Sequence, residues 1–339
     1  MKAAVFYGKN QLLVQDIEKP SPGPGQLLVQ VKACGVCGTD LHIYEGAQGA
    51  AECVPPKVLG HEFSGIVCDV GPDVSGYTPG DRVCIDPNNT CGACYYCKTR
   101  KAHFCEHMVG YGTIVNGGFA EYCVVDAKAA YKFGPELSFE EAAMAEPLAC
   151  CLNGVDLTGI RQGQTVVIIG GGTIGLIMLK LVRLAGAATV ILTEPVAEKR
   201  EKARELGADI VVDPRANLPE AVLEKAGVKN VDAVIECVGR KQTVEDAIRY
   251  AGNAATVMLF GLTEPNEEVP VKPFALFRKE LTLKTSYINP YTQQRAVDLL
   301  QSKAIILREL ITDVIALSDI ESVFTDASYR SHGKIMIKP

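Results

Sequence analysis

The sequence has neither an excess of basic residues nor a long apolar run. Its 339 residues include 34 Lys and Arg against 40 Asp and Glu, a formal net charge of −6. This interspersed balance excludes a basic surface for nucleic acid and a polybasic membrane anchor. No apolar stretch approaches bilayer-spanning length, and the opening residues MKAAVFY lack the apolar core of a signal peptide. We therefore expect a cytoplasmic protein that acts on small molecules, with no nucleic-acid or membrane partner.

Tryptophan is absent and histidine is scarce, whereas cysteine is abundant. The chain has no tryptophan, five histidines and thirteen cysteines. In a large intracellular chain, an odd number of thiols is expected to be reduced, buried or bound to metal rather than paired in disulfides. The spacing of the cysteines therefore matters more than their number, and any histidine ligand of a metal must come from a small set.

Two patterns divide the sequence, which is longer than one hydrophobic core usually holds. The first half contains short alternating stretches, such as 12–17 and 27–32, separated by glycine and proline turns. This pattern favours an antiparallel, barrel-like β domain. From about residue 160, apolar runs such as 165–169 and 188–192 alternate with helix patterns. Such runs suit strands covered on both faces and predict a parallel sheet in βαβ order.

Four cysteines fall within fifteen residues, namely Cys91, Cys94, Cys97 and Cys105. The loop at about 88–107 is too irregular to form regular structure by itself, and four thiolates at this spacing can close a tetrahedron around zinc. Because no coordination position stays open, such an ion is structural. Free thiols in a surface loop are the alternative, but they would be prone to oxidation. His103 or His107 could in principle replace one thiol.

A glycine-rich turn joins an apolar strand pattern at 166–169 to a helix pattern. Gly170 allows the tight turn, Gly172 lets the backbone approach a pyrophosphate, and Gly175 permits close packing of helix and strand. The next strand pattern ends in an acid, Glu194, as the dinucleotide-binding fingerprint requires. The sequence therefore predicts a dinucleotide site.

The choice of dinucleotide depends on Glu194. Its carboxylate can accept hydrogen bonds from both ribose hydroxyls of the adenosine, whereas a 2′-phosphate would meet a like charge. NAD is therefore favoured over NADP. Lys199 and Arg200 can attract a phosphate, although a solvated helix face also explains them.

Cysteine, histidine and carboxylate side chains occur together in three further stretches. Cys34 and Cys37 open the first, His61 and Glu62 lie in the second, and Glu146 lies in the third. These are the ligand types of a catalytic zinc with an open position. Each residue also has a structural explanation, and spacing alone cannot show that separated stretches come together. Composition therefore does not decide whether a second metal site exists.

These motifs, in this order and over nearly the whole chain, closely resemble the zinc-dependent medium-chain dehydrogenases, in their polyol (sorbitol), 2,3-butanediol and threonine dehydrogenase branch. The resemblance is carried by residues 37–45, 60–65, 117–122 and 146–148, together with the four-cysteine loop and the glycine turn. It implies an α/β plus β architecture, in which a GroES-like catalytic β-barrel domain (1–150 and 289–339) receives an inserted Rossmann domain (151–288). It also implies a homodimer or homotetramer.

The resemblance assigns roles around a catalytic zinc. Cys37 and His61 match ligands, which leaves Cys34 as a packing thiol. Glu62 and Glu146 match carboxylates that coordinate the zinc or its water, and Glu146 also counts among the catalytic residues. The remaining matches are Asp40, which orients the ligating histidine, and Thr39 with His42, which form a proton relay. Two zinc ions per subunit follow, one catalytic and one structural.

Further matches concern the nicotinamide cofactor. They are Gly170, Gly172, Ile174 and Gly175 at the pyrophosphate, Glu194 and Lys199 at the adenosine ribose, and Phe260, Gly261, Leu262, Ser286 and Tyr287 near the nicotinamide. The predicted function is zinc-dependent hydride transfer between NAD and a secondary alcohol of a polyol, sugar alcohol or vicinal diol. A threonine 3-dehydrogenase, an NADP-dependent carbonyl reductase and a non-catalytic cofactor-binding protein are the alternatives.

The sparse aromatic residues bear on the substrate. Only Tyr44, Phe63 and Phe119 are aromatic candidates for its surroundings. With carboxylates beside the metal, this composition suits a hydroxylated substrate better than a long apolar alcohol. Packing is an equal explanation for Tyr44 and Phe119.

Overall fold

The computed structural model describes residues 1–47, 52–215, 223–224 and 227–339. Contacts within the chain form two compact units. The first unit comprises Met1–Ala149 and Ile288–Pro339, and the second comprises Cys150–Tyr287. The sequence-based expectation places each boundary one residue later.

The first 149 residues are mainly strands and turns. The strands are β1 (Lys2–Gly8), β2 (Gln11–Asp16), β3 (Gln26–Gly35), β4 (Lys57–Val58), β5 (Glu62–Val70), β6 (Arg82–Ile85), β7 (Asn88–Asn89), β8 (Val109–Gly110), β9 (Tyr122–Asp126) and β10 (Ala130–Lys132). The helices that begin here are α1 (Gly38–Tyr44), α2 (Tyr95–Lys98), α3 (Phe139–Ala143) and α4 (Ala145–Thr158). The predicted β character of this half is confirmed.

The middle of the chain alternates strands and helices. The strands are β11 (Thr165–Ile169), β12 (Thr189–Thr193), β13 (Ile210–Val212), β14 (Ala233–Glu236), β15 (Thr256–Leu259) and β16 (Thr282–Thr285). The helices are α5 (Thr173–Leu184), α6 (Ala197–Glu205), α7 (Lys241–Tyr250) and α8 (Pro273–Lys279). The strands form a parallel sheet in the order β13-β12-β11-β14-β15-β16. This is the doubly wound order of a Rossmann domain.

The last segment returns to the first unit. It contributes α9 (Gln293–Gln301), β17 (Ile311–Ala316), α10 (Ile320–Thr325) and β18 (Lys334–Lys338). Strand β18 pairs antiparallel with β3, which also pairs with β5 and β9. The end of the chain therefore completes a sheet whose other strands come from the first 132 residues.

The core of the first unit contains the aromatic residues considered for the substrate's surroundings. Phe63 and Phe119 are 1% and 0% exposed, and Tyr44 packs on Phe324 with ring centroids 5.1 Å apart. Their environment explains these three aromatics as packing residues. Cys34 is also fully buried there, as the resemblance implies. No helix in the described part of the chain is long and apolar enough to cross a membrane.

Candidate metal and cofactor sites

The pairing of β3 with β5 brings Cys37 and His61 together. Gly35, at the end of β3, stands opposite Glu62, the first residue of β5. The chain then continues two residues to Cys37, which occupies the N-cap position of α1. As a result, ligand atoms of Cys37, His61 and Glu62 lie within 4.8 Å of one another. A thiolate, an imidazole and a carboxylate in this arrangement form a ligand set for zinc.

Asp40 holds this group together from inside the protein. It is fully buried, and its carboxylate accepts hydrogen bonds from the backbone N–H groups of Cys37 (2.9 Å) and Gly60 (3.3 Å). His61 Nδ1 lies 3.4 Å from Asp40 Oδ1, within ion-pair range but without hydrogen-bond geometry. Burial opposes a charge on His61, but the nearby Asp40 and Cys37 raise its pKa well above the usual range.

The Glu62 carboxylate has a cationic partner that sequence reasoning missed. Lys334, the first residue of β18, forms an ion pair with it, and the two side chains are 5% and 2% exposed. Burial opposes the charge of Lys334, but Glu62 and Cys37 raise the pKa of its ammonium group. The sequence signal was weak, because a single lysine in a C-terminal strand pattern does not indicate a buried partner.

The other residues predicted around this centre are less closely grouped. Glu146, in the first turn of α4, is 7% exposed and does not belong to the Cys37 group, although its charge acts on Lys334. Thr39 and His42 are three positions apart on α1, so they share a face of that helix, and both are partly exposed.

The four-cysteine loop has the dimensions of a tetrahedral zinc site. The sulfur atoms of Cys91, Cys94, Cys97 and Cys105 lie within 4.8 Å of one another. Cys91 and Cys97 are separated by 3.9 Å, and Cys94 and Cys105 by 4.0 Å. Zn–S bonds of about 2.3 Å in a tetrahedron require S–S edges of about 3.8 Å. The four thiols therefore fit zinc without a contribution from His103 or His107.

Backbone N–H groups also prepare two of these sulfurs, those of Cys91 and Cys94, to act as thiolates. The N–H groups of Ala93 and Cys94 each donate to Cys91 Sγ at 3.4 Å. Donation from the backbone of Cys97 and Glu106 lowers the pKa of Cys94 to about 6. Metal ligation requires the deprotonated thiol, so these donors favour metal binding.

The glycine turn has the geometry that the sequence predicts. Gly170 follows β11 with a φ of +104°, in the region that favours glycine, and Gly172 occupies the N-cap position of α5. A Cβ on Gly175 would collide with the carbonyl oxygen of Gly170, whereas Gly172 has open space around its Cα. The turn therefore packs tightly on one side and is open on the other, where a pyrophosphate can approach the helix N-terminus.

Glu194 lies directly beside this turn. One carboxylate oxygen accepts a hydrogen bond from the N–H of Gly171 at 2.8 Å, and the other accepts one from Val196 at 3.0 Å. A carboxylate offers about four acceptor positions, so Glu194 can still accept from ribose hydroxyls. Arg200 donates to the Glu194 carbonyl at 2.6 Å and pairs with Asp213 at 3.3 Å. Lys199 is half-buried on α6.

The other predicted cofactor residues follow the carboxyl ends of β15 and β16. Phe260, Gly261 and Leu262 follow β15, and Ser286 and Tyr287 follow β16. Asn153 donates to Ser286 Oγ at 2.9 Å, which holds that segment against α4 within the second unit.

Glu236, at the end of β14, is a second residue that the sequence reasoning missed. Its fully buried carboxylate accepts hydrogen bonds from the N–H groups of Val238 (2.8 Å) and Gly239 (2.9 Å). Its own carbonyl accepts from the N–H groups of Phe260 and Gly261, both at 2.9 Å. The sequence did contain a signal for Glu236, because this acidic residue ends a buried strand pattern.

Comparison with known proteins places both units in one family. Residues 23–135 match the model of the alcohol dehydrogenase GroES-like domain, and residues 173–302 match that of zinc-binding dehydrogenases. L-threonine 3-dehydrogenase of Pyrococcus abyssi is 33% identical over 318 residues, which cover 92% of this chain and 89% of that protein. Sorbitol dehydrogenase of Halalkalibacterium halodurans is 31% identical over 349 aligned positions, covering 100% and 99%.

A solved structure extends this likeness to three dimensions. A candidate zinc-binding dehydrogenase from Sinorhizobium meliloti 1021, bound to NADP, superimposes with a TM-score of 0.95 at 40% identity and covers 100% of this chain and 99% of that one. The predicted combination of a GroES-like and a Rossmann domain is confirmed. The chain belongs to the zinc-dependent medium-chain dehydrogenases, in the branch that contains the polyol and threonine dehydrogenases.

Proposed function

We propose that this dehydrogenase transfers a hydride between NAD and a secondary alcohol of a polyol, sugar alcohol or vicinal diol. The observation that carries the proposal is the Cys37, His61 and Glu62 group, which lies in a chain that also contains a dinucleotide-type glycine turn. The sorbitol dehydrogenase relative supports a polyol substrate. In this proposal, the first unit is the catalytic domain and the second is the cofactor domain.

The catalytic metal belongs to the Cys37 group, with Glu146 as a further carboxylate of the site. When bound there, zinc would strongly lower the pKa of a hydroxyl group, and for water this change is worth about 12 kcal/mol. The protein prepares the ligands. Asp40 fixes the backbone of Cys37 by a hydrogen bond and lies beside His61 Nδ1, so both ligands are oriented by one buried carboxylate.

Thr39 and His42 carry the substrate's hydroxyl proton away from the site. They lie on one face of α1, which begins directly after Cys37, and His42 is exposed enough to pass a proton to solvent. An imidazole can act both as a proton acceptor and as a proton donor, so His42 can pass the proton on.

NAD is the proposed cofactor, bound at the glycine turn through Gly170, Gly172, Ile174 and Gly175, with Glu194 and Lys199 at its ribose. The Glu194 carboxylate lies at the turn, where a 2′-phosphate would meet its charge. Arg200 is already engaged by the Glu194 carbonyl and by Asp213, which reduces its attraction for a phosphate. Phe260, Gly261, Leu262, Ser286 and Tyr287 hold the nicotinamide half.

NADP is the second candidate, because the Sinorhizobium relative was solved with that cofactor. Steady-state rates measured over a range of NAD and NADP concentrations, with one alcohol at saturation, distinguish the two. A ratio of kcat/KM values above unity for NAD supports the proposal, and a ratio below unity assigns the protein to NADP.

The four-cysteine loop binds the second zinc of each subunit, which has a structural role. The sulfur separations of 3.9 and 4.0 Å support this proposal.

The proposed oligomer is a homodimer, or a homotetramer built from such dimers. Strand β16 is an edge of the six-stranded sheet, and an edge strand presents unpaired backbone groups. Beside it in sequence, α8 exposes Phe274 and Phe277 by 74% and 78%. We propose that a second copy of the chain covers this edge and these rings. Sedimentation of the Phe274→Ser and Phe277→Ser double variant tests this, with a shift toward monomer as the expected result.

The substrate class is tested by a screen with NAD at the absorbance band of reduced nicotinamide. Vicinal diols, sugar alcohols, inositols and L-threonine form the panel, since the threonine dehydrogenase relative keeps that amino acid a candidate. Oxidation of a diol or sugar alcohol is expected. Turnover of L-threonine and of no other compound on the panel would favour a threonine 3-dehydrogenase instead. NADH binding without any turnover would favour a non-catalytic protein.

A further inference from the structure

The buried ion pair of Lys334 and Glu62 joins distant parts of the first unit. Strand β3 lies between β5, which begins at Glu62, and β18, which begins at Lys334. Besides pairing with Glu62, Lys334 Nζ donates to the carbonyl of Val36 at 2.9 Å. The ammonium is therefore held beside the residue that precedes Cys37, which restricts where it can move.

The Glu62 carboxylate also lies close to the other predicted metal ligands. It lies within 4.8 Å of the ligand atoms of Cys37 and His61, so it is within reach of a metal bound there. The carboxylate thus has two cationic partners in the loaded protein, the metal and the ammonium of Lys334. Attraction of the carboxylate to the ammonium weakens its binding to the metal, and the reverse also holds, because the charges are buried and poorly screened.

Lys334 also contributes to the charge balance of the metal centre. The Cys37 thiolate and the Asp40, Glu62 and Glu146 carboxylates together exceed the two charges of a zinc ion by two negative charges. A buried, uncompensated charge is strongly unfavourable, and the Lys334 ammonium cancels one of these two charges.

We propose that Lys334 is a positioning residue of the metal centre. Its ammonium shares the Glu62 carboxylate with the bound metal and keeps that carboxylate displaceable, so that a position for the substrate hydroxyl can open. Without Lys334, Glu62 binds the metal permanently and closes that position. The inference rests on the metal site of the proposed function and adds the residue that controls access to it.

The experiment uses the full chain loaded with Co²⁺ in place of zinc and titrated with imidazole, a small ligand for an open metal position. Visible absorption of the cobalt reports binding, and the closed four-cysteine site offers imidazole no position. The wild type is expected to bind imidazole saturably. In Lys334→Met, affinity is expected to fall at least about tenfold, whereas Lys334→Arg, which keeps the charge, stays within about threefold.

Two variants of Glu62 complete the design. Glu62→Gln removes the competing carboxylate, so imidazole is expected to bind at least as tightly as in the wild type. The Glu62→Gln, Lys334→Met double variant has no carboxylate at position 62 to close the metal position. It is expected to match Glu62→Gln within about threefold, because Lys334 controls access to the metal through Glu62. Weaker binding in Glu62→Gln, or a larger difference between these two proteins, would overturn the inference even if Lys334→Met failed to fold.

Cys37→Ser separates failure of this inference from failure of the proposed function. The imidazole-sensitive cobalt signal is expected to disappear in that variant. A signal that persists there would overturn the metal assignment itself. Loss of the signal in Cys37→Ser, together with wild-type imidazole affinity in Lys334→Met, would overturn only the role of Lys334.

Discussion

Gly35 stands directly opposite Glu62 in the antiparallel register of β3 and β5, and a side chain at Gly35 would overlap the carboxylate. Its Cβ would also lie 2.6 Å from Lys334 Cε. The absence of a side chain at Gly35 therefore makes room for the buried ion pair beside the metal ligands. Gly38, three positions later, has open space around it.

Gly35→Ala is expected to lower the free energy of unfolding by about 1–3 kcal/mol, the usual cost of inserting a methyl group into a packed site. It should also weaken retention of metal at the Cys37 group. Urea unfolding and metal loss to a chelator measure the two effects. The matched Gly38→Ala variant should behave as the wild type, and equal effects at both glycines would contradict the packing argument.

Cys94→Ser is expected to remove the structural zinc without touching the catalytic group. The metal content should fall from two ions per subunit to one. A loss of about 2 kcal/mol would lower Tm by about 4–8 °C for a domain of 150–250 residues. Elemental analysis and calorimetry provide the readouts. The exposed free thiol of Cys68 supplies the control, since Cys68→Ser should change neither quantity. A Cys94→Ser protein with two ions and an unchanged Tm would rule out the structural site.

Two substitutions in the glycine turn are predicted to have different effects, one on stability and the other on NADH affinity. Gly175→Ala should lower Tm, because its methyl group collides with the Gly170 carbonyl. Gly172→Ala should keep the wild-type Tm but bind NADH at least about tenfold more weakly, because the methyl group occupies the space reserved for the pyrophosphate. Calorimetry and NADH fluorescence titration give the two readouts. Unchanged NADH affinity in a folded Gly172→Ala protein would remove the turn from the cofactor site.

Asp86 predicts a pH dependence of stability. Burial raises its pKa to about 6, against opposing hydrogen bonds from Asn88 and Asn289. The unfolded value is about 3.9, so folding favours the protonated form. The stability that Asp86 contributes is complete below about pH 4 and is lost as the pH rises through about 6. About two pKa units at 1.36 kcal/mol each set an upper limit of about 3 kcal/mol.

Urea unfolding between pH 4 and pH 8 measures this contribution. The free energy of unfolding of the wild type should fall across this range relative to Asp86→Asn, which cannot titrate. Asp69→Asn, at an exposed position, should follow the wild-type curve. Parallel curves for the wild type and Asp86→Asn would show that Asp86 does not titrate in this range.

Features that depend on neighbouring residues could be predicted from the sequence. The thiol spacing of the four-cysteine loop and the strand–glycine–helix pattern at 166–175 are local, and the structure has the predicted geometry at both. The parallel sheet followed from continuous apolar runs such as 165–169, because only strands covered on both faces need them.

Features that depend on strand pairing could not be predicted from spacing. Lys334 lies 298 positions from Val36, whose carbonyl it contacts, and only the antiparallel pairing of β18 with β3 joins them. Likewise, no spacing rule brings His61 to Cys37, and the family resemblance had to supply that link. The backbone bonds of Glu194 depend on the exact path of the glycine turn, which a pattern does not specify.

In the proposed function, a metal held by Cys37 is needed for alcohol oxidation but not for cofactor binding. The decisive experiment uses one preparation of Cys37→Ser. Its metal content is measured by elemental analysis, its cofactor binding by NADH titration, and its turnover on the best alcohol from the screen. We expect one zinc per subunit instead of two, an unchanged Kd for NADH, and loss of turnover. Two zinc ions and wild-type turnover in that variant would contradict it.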